Sequence, residues 1–325
     1  MKTFEEISEI ISSEIIQINW NKEPKGLYKP IGYVLSMGGK RIRPALTLMA
    51  CNLFSDDVQQ AINTAIGLEV FHNFTLLHDD IMDRAEVRRG KPTVHKKWND
   101  NTAILSGDVM QIASYQFIAK TPTLYLKPVL DLFSQTASEI CEGQQYDVDF
   151  ENRDIVRAEE YLEMIRLKTA VLLGCALKSG AWIGGAGEKD AQNLYEFGIN
   201  IGLAFQLKDD LLDVYGDEST FGKKIGGDIL CNKKTYLLIQ ALQRVKGNDA
   251  LELKKWMETS DEILSELKIK SVTEIYEKLE IKSICEEKMH DFYTKAIAKL
   301  EKVSVFENKK QELRKLAERL MFRTD

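Results

Sequence analysis

Two acidic clusters of one form recur in this chain: Asp79-Asp80-Ile81-Met82-Asp83 and Asp209-Asp210-Leu211-Leu212-Asp213. Each reads Asp-Asp-x-x-Asp and ends a mostly apolar, helix-compatible run, with Phe74, Leu76 and Leu77 before the first and Leu203, Ala204, Phe205 and Leu207 before the second. On a helix, residues i and i+4 share a face, so Asp79 can set its carboxylate beside that of Asp83, and Asp209 beside Asp213. Neighbouring carboxylates raise one another's pKa unless a cation neutralises them. Hard oxygen donors with nothing soft nearby suit Mg²⁺, with Mn²⁺ as a substitute. Mg²⁺ takes only one or two carboxylates and keeps its other positions for water and substrate phosphate. Two such clusters facing each other would form a cage for a diphosphate. A single acidic cluster is more often a solvated helix face, but that face would carry polar neighbours at helical spacing, and these two stand among apolar ones.

Basic residues recur near these clusters. Gly38-Gly39-Lys40-Arg41-Ile42-Arg43-Pro44 places three cations after a glycine helix stop, and such a turn beside helix ends makes an anion site. Arg43 can grip phosphate oxygens bidentately, while Lys40 acts as a point charge. Arg88-Arg89-Gly90-Lys91 begins five residues after Asp83. Acid and base this close suggest a diphosphate bridged by metal on one side and arginine on the other, or only surface ion pairs. Lys168-Thr169 interrupts an apolar helical run, where a lysine either snorkels outward or points into a charged cavity. Lys223 and Lys233 lie in a Gly- and Lys-rich stretch that could close as a lid over phosphates, or be a plain surface loop.

The elements that must carry these residues are helical. Ala, Leu, Ile, Lys and Glu dominate, with only 6 prolines and 20 glycines in 325 residues, a composition that favours helix. Apolar spacing at i, i+3 and i+4 predicts a first helix through Phe4, Ile7, Ile10, Ile11 and Ile15. Others are expected over Leu27–Met37, Ala45–Phe54 with Pro44 at its start, Ala61–Met82, Asn101–Ala119, Lys127–Asp147, Ala158–Ser179, Ala191–Tyr215 and Lys234–Val245. Arg84 to Thr93 reads as a loop, Gly216 to Asn232 as irregular, and Asp249 to Met321 as charged amphipathic segments. No strand alternation is visible. Since the acidic clusters need each other across 130 positions (209 − 79), the expectation is an all-α chain, one domain over residues 1–325, a single large helical bundle around a central active-site cavity.

Composition excludes several classes. The net charge of −6 (44 basic, 50 acidic) argues against nucleic-acid binding. Five dispersed cysteines without a C-x-x-C suit free thiols in a reducing cytoplasm rather than disulfides or zinc. The acidic, amphipathic N-terminus is no signal peptide, and no apolar run reaches membrane-spanning length, so a cytoplasmic location is expected.

Taken in order, GGKRIRP, FTLLHDDIMD, RRGKPTVH, a Lys-Thr pair, FQLKDDLLD, GKKIGGDI and NKKT resemble the trans-isoprenyl diphosphate synthase family over roughly Gly38 to Thr235. The resemblance implies an all-α isoprenoid synthase fold and a homodimer. By the same resemblance, Asp79, Asp83 and Asp209 would bind three Mg²⁺ holding the allylic diphosphate, supported by Asp80, Asp210 and Asp213. Arg88, Lys168, Lys223 and Lys233 would contact that diphosphate. Lys40, Arg43, His72 and Arg89 would hold isopentenyl diphosphate. His72, otherwise readable as a packed core histidine, sits seven residues before Asp79, as the family pattern has it. Thr169 and Gln206 would line the reacting centre and steady the carbocation. Asn232 stands where the family often has Gly before the second lid lysine, and Asn tolerates left-handed turns.

The implied reaction is a head-to-tail (1′-4) condensation: dimethylallyl, geranyl or farnesyl diphosphate ionises, isopentenyl diphosphate attacks, and a proton is lost. No protein base stands out, and released pyrophosphate is a plausible acceptor. Phe71, Phe74 and Thr75 on the helix before Asp79 resemble the chain-length floor of geranylgeranyl-type enzymes, so C20 is the expected product, C15 the runner-up and a longer chain the alternative. Two other readings fit less well. A class I terpene cyclase would lack GGKRIRP and the second Asp-Asp-x-x-Asp, and a non-catalytic synthase subunit would have lost a cluster or key cation.

Overall fold

The structure, a computed structural model, describes residues 1–216, 225–259 and 261–322. It is almost entirely helical, as expected: α1 Phe4–Ile16, α2 Lys25–Ser36, α3 Ile42–Phe54, α4 Ile62–Met82, α5 Val94–Lys97, α6 Asp100–Ile118, α7 Thr123–Glu151, α8 Ala158–Ile165, α9 Val171–Ile183, α10 Glu188–Tyr215, α11 Gly227–Leu230, α12 Tyr236–Arg244, α13 Gly247–Glu258, α14 Ser265–Lys278, α15 Ile281–Glu301 and α16 Glu307–Phe322. The chain packs as two compact units, one of Met1–Gln135, Leu172–Glu196 and Leu300–Arg314, the other of Thr136–Val171, Phe197–Lys299 and Lys315–Asp325.

In the first unit, α1 begins with a capping box between Thr3 and Glu6 and buries Ile7, Ile11 and Ile15, its predicted stripe. Every residue of α3 from Pro44 to Leu53 is buried. That burial depends on close backbone approach by α9 and the turn just after it, where Gly180 and Gly184 lie four residues apart. A Cβ at Gly180 would come within 2.8 Å of the Thr47 carbonyl carbon, and one at Gly184 within 2.5 Å of the Cys51 oxygen. Pro44 sits two residues inside α3 rather than at its start, which is tolerated because first-turn N–H groups have no helical acceptor. Helix α4 runs beside α6 and α3. The second unit is built on one apolar cluster, with Tyr161, Leu207, Leu211, Leu237, Ile275 and Cys285 among its members.

Two local features differ from the sequence expectation. Residues 84–93 contain a short antiparallel ladder, Val87 opposite Pro92 and Arg88 opposite Lys91. Its turn is Arg89-Gly90, with φ 52° and 73°, the positive values a two-residue hairpin turn requires. The helix expected over Ala158–Ser179 is also interrupted by a wide π turn at Arg166–Ala170. Such turns recur at functional positions, and this one carries Lys168 and Thr169.

Candidate active site

Within the first unit, α4 positions its acidic motif in the last helical turn, with Asp83 as C-cap. Asp79 is half-buried, Asp80 buried and Asp83 exposed. The helix C-terminus carries partial negative charge, which adds to the carboxylates and strengthens the demand for a cation. Asp80 is tied to Arg88: Nε donates to Oδ1 at 2.8 Å and Oδ2 at 3.0 Å, and Nη2 lies 2.7 Å from Oδ1. Burial pushes the Asp80 carboxyl above its ordinary range, and Arg88 opposes that shift.

The basic loops of this unit are brought together by backbone conformation. Gly38, Gly39 and Arg41 have φ of 76°, 134° and 45°. Arg89 Nη1 donates to the Gly38 carbonyl, and a Cβ at Gly39 would fall 2.7 Å from the Arg89 guanidinium carbon. Glycine is therefore needed there both for the left-handed backbone and for the space. Arg43 Nη1 donates to His72 Nε2 at 3.1 Å. Burial, and then Arg43, hold the His72 imidazole well below its usual pKa, so the ring is a neutral acceptor that orients Arg43. Arg43 Nε is buried with no hydrogen-bond partner among the described residues, and burial lowers the guanidinium to about 10. Lys40 is exposed.

Two residues that sequence reasoning missed hold this cluster. Glu69, 3% exposed, lies 3.6 Å from Arg41 Nη1 and accepts from Asn73 Nδ2 at 3.1 Å. Arg41 Nη2 donates to the Leu35 carbonyl at 3.0 Å. A lone carboxylate in the apolar run of α4 was the available signal for Glu69. Further along the helix, the Phe71 ring lies tilted against Phe74 at 5.4 Å and edge-on to Phe133 at 5.2 Å, with Phe133 edge-on to Tyr115 at 4.9 Å and Phe74 edge-on to His78 at 4.8 Å. Thr75 is half-buried, its hydroxyl donating to the His72 carbonyl.

Within the second unit, α10 has Asp209 half-buried and Asp210 buried, as in the first motif, and Asp213 half-buried where Asp83 is exposed. Here too the motif falls in the last turns of a helix. Tyr161 donates its hydroxyl to Asp210, and Gln206 Nε2 lies 3.4 Å from the same carboxylate. Burial, then Asp228, raises Asp210 to about 7. Thr169 donates to Gln206 Oε1 at 3.3 Å, so the two residues assigned to the reacting centre are neighbours in one chain of hydrogen bonds. Asp213 Oδ2 accepts the Asp228 N–H at 2.9 Å. Lys168 and Lys233 both reach Asp147 of α7, Lys168 at 2.6 Å and Lys233 at 3.8 Å. Lys223 lies outside the described residues.

Among the described residues no three His, Cys, Asp or Glu side chains converge on one point. Each motif offers carboxylate oxygens one turn apart at a negative helix end, a donor set whose chemistry fits Mg²⁺ with water and phosphate completing its shell.

An all-helical chain with an Asp-Asp-x-x-Asp motif at the end of each of two helices, and lysines and arginines seated on carboxylates, defines a prenyltransferase of the isoprenoid synthase fold. The polyprenyl synthetase pattern matches residues 24–278, and the chain belongs to that family. It is 43% identical over 224 residues to a geranylgeranyl diphosphate synthase of Methanosarcina mazei, covering 68% of this chain and 69% of that one. It is 38% identical over 251 residues to a geranylfarnesyl diphosphate synthase of Natronomonas pharaonis, covering 72% and 74%. A crystal structure of a geranylgeranyl pyrophosphate synthase superposes with a TM-score of 0.94 at 44% identity, over 100% of both chains.

Proposed function

We propose that the protein condenses isopentenyl diphosphate head-to-tail with allylic diphosphates, in a Mg²⁺-dependent reaction, and that its main product is geranylgeranyl diphosphate. The observation that carries the product assignment is the aromatic cluster of Phe74 and Phe71, on the helix that carries Asp79, with Phe133 of α7. A tail running back along α4 from Asp79 passes Phe74 after about 7–8 Å of helix rise and Phe71 after about 12 Å. The Methanosarcina relative bears the same product name.

Asp79, Asp83 and Asp209 would hold the metal, three ions in all, with Asp80, Asp210 and Asp213 in support. Bound, Mg²⁺ supplies positive charge against which a diphosphate leaves. Arg88, Lys168, Lys223 and Lys233 bind and orient the allylic diphosphate. Lys40, Arg43 and Arg89 hold isopentenyl diphosphate, with His72 directing Arg43. The Thr169–Gln206 pair places oxygen dipoles beside the carbocation. A homodimer fits the exposed apolar residues of α6, Leu105 and Ile112, 57% and 59% exposed. No described helix is long and apolar enough to cross a membrane.

The test is product sizing. The purified protein is incubated with isopentenyl diphosphate, Mg²⁺ and each primer (dimethylallyl, geranyl, farnesyl), and the dephosphorylated alcohols are separated. C20 alcohol is expected, abolished by EDTA and restored by Mg²⁺. No elongation from any primer by folded protein refutes the function, and a longer main product refutes the aromatic floor.

A further inference from the structure

Asp147 belongs to no acidic motif, yet it receives two of the lysines on which allylic diphosphate binding depends. It stands one turn after Gly143 on α7, on the same face. A Cβ at Gly143 would lie 2.8 Å from both the carbonyl carbon and the Cβ of Leu167, so this helix presses against the wide turn at Arg166–Ala170. The close approach delivers the Asp147 carboxylate to that turn. Its Oδ2 accepts from Lys168 Nζ at 2.6 Å and lies 3.8 Å from Lys233 Nζ. Lys168 comes from the π turn and Lys233 from the segment between α11 and α12, so a single oxygen gathers ammonium groups far apart in sequence. Burial raises the Asp147 carboxyl, but Lys233 and Lys168 outweigh it and hold it below the ordinary carboxylate range.

We infer that Asp147 is a positioning residue for the allylic diphosphate: it seats Lys168 and Lys233 at one point. The two ammonium groups are then already in place when a diphosphate arrives. Without the carboxylate the two ammonium groups repel, and neither is held at that point. The inference rests on the assignment of these lysines to the allylic substrate.

The experiment compares wild type with Asp147→Asn. KM for geranyl diphosphate and for isopentenyl diphosphate is measured, with inorganic pyrophosphate binding by calorimetry in parallel. The variant is expected to raise the geranyl diphosphate KM about tenfold. The isopentenyl diphosphate KM should hold, and pyrophosphate should bind more weakly. In a Lys233→Met background the same substitution should have a much smaller effect, because part of what it seats is gone. An unchanged geranyl diphosphate KM in folded Asp147→Asn overturns the inference, as does a full-sized effect in the Lys233→Met background. If Asp147→Asn does not fold, Asp147→Glu replaces it. The lengthened carboxylate should displace both ammonium groups and raise the geranyl diphosphate KM, and an unchanged KM overturns the inference. Failure of wild-type condensation refutes the enzymatic reading, and pyrophosphate affinity then still decides the role of Asp147.

Discussion

Replacing Phe74 by alanine separates a ring that stops the product from a ring that merely packs. Phe74 is 8% exposed and Phe71 fully buried, and Phe71 keeps its contact with Phe133 at 5.2 Å when Phe74 is cut back. The floor should therefore retreat to Phe71, three residues back on α4, and not disappear. Three residues are about 4.5 Å of helix rise, close to the length of one five-carbon unit. The expected main product of Phe74→Ala is then C25 in place of C20, and Phe71→Ala/Phe74→Ala should run longer still. The truncation also removes a buried ring with two aromatic neighbours, which is expected to cost about 3 kcal/mol and several degrees of melting temperature. The assay is chromatography of the dephosphorylated alcohols beside a thermal melt. Leu48→Ala in α3, at a fully buried site, is the control: a comparable loss of stability with the wild-type product. A Phe74→Ala enzyme that melts earlier yet still makes only C20 would refute the floor and leave the ring as ordinary core.

Two further consequences concern packing and charge. Gly180→Ala drives a methyl group into the backbone of α3 at Thr47. Overpacking against backbone should lower stability by about 2–3 kcal/mol, read from the urea midpoint, and an unchanged midpoint would show slack between α3 and α9. Asp147 is held below its ordinary range, so its ion pairs stabilise the fold above the unfolded carboxyl pKa, about 4, and that stability is lost as pH falls through the lower folded value. Wild type should therefore resist urea better than Asp147→Asn at pH 7. The difference should shrink towards zero in acid, and a gap constant from pH 7 to about 3 would contradict it.

The features legible in the sequence were local ones. Asp79/Asp83 and Asp209/Asp213 are pairs four residues apart, and the helices carrying them announce themselves by apolar periodicity. The Arg89-Gly90 turn escaped because arginine is an unusual residue at positive φ, so its hairpin read as loop. The π turn at Arg166–Ala170 escaped because a one-residue widening leaves a helical apolar pattern almost intact. Asp147 and Glu69 escaped for another reason: their partners are remote in sequence, and a single carboxylate has no spacing to read.

Those remote partners explain how the cations come to be arranged. In each pair the acid is more buried than the base it holds: side-chain exposure is 8% for Asp80 against 25% for Arg88, 3% for Glu69 against 7% for Arg41, and 16% for Asp147 against 23% for Lys168 and 44% for Lys233. An inner carboxylate under an outer cation compensates the charge inside the protein, and at Arg88, 25% exposed, it leaves the outer flank of the guanidinium for an anion. It also fixes long side chains before any ligand arrives, so less rotamer entropy is lost on binding. Donors fixed in advance need no reorganisation as charge develops on a departing diphosphate. Stripping these inner acids should therefore weaken substrate binding through cations that are still present, an effect that removing the cations themselves could not reveal.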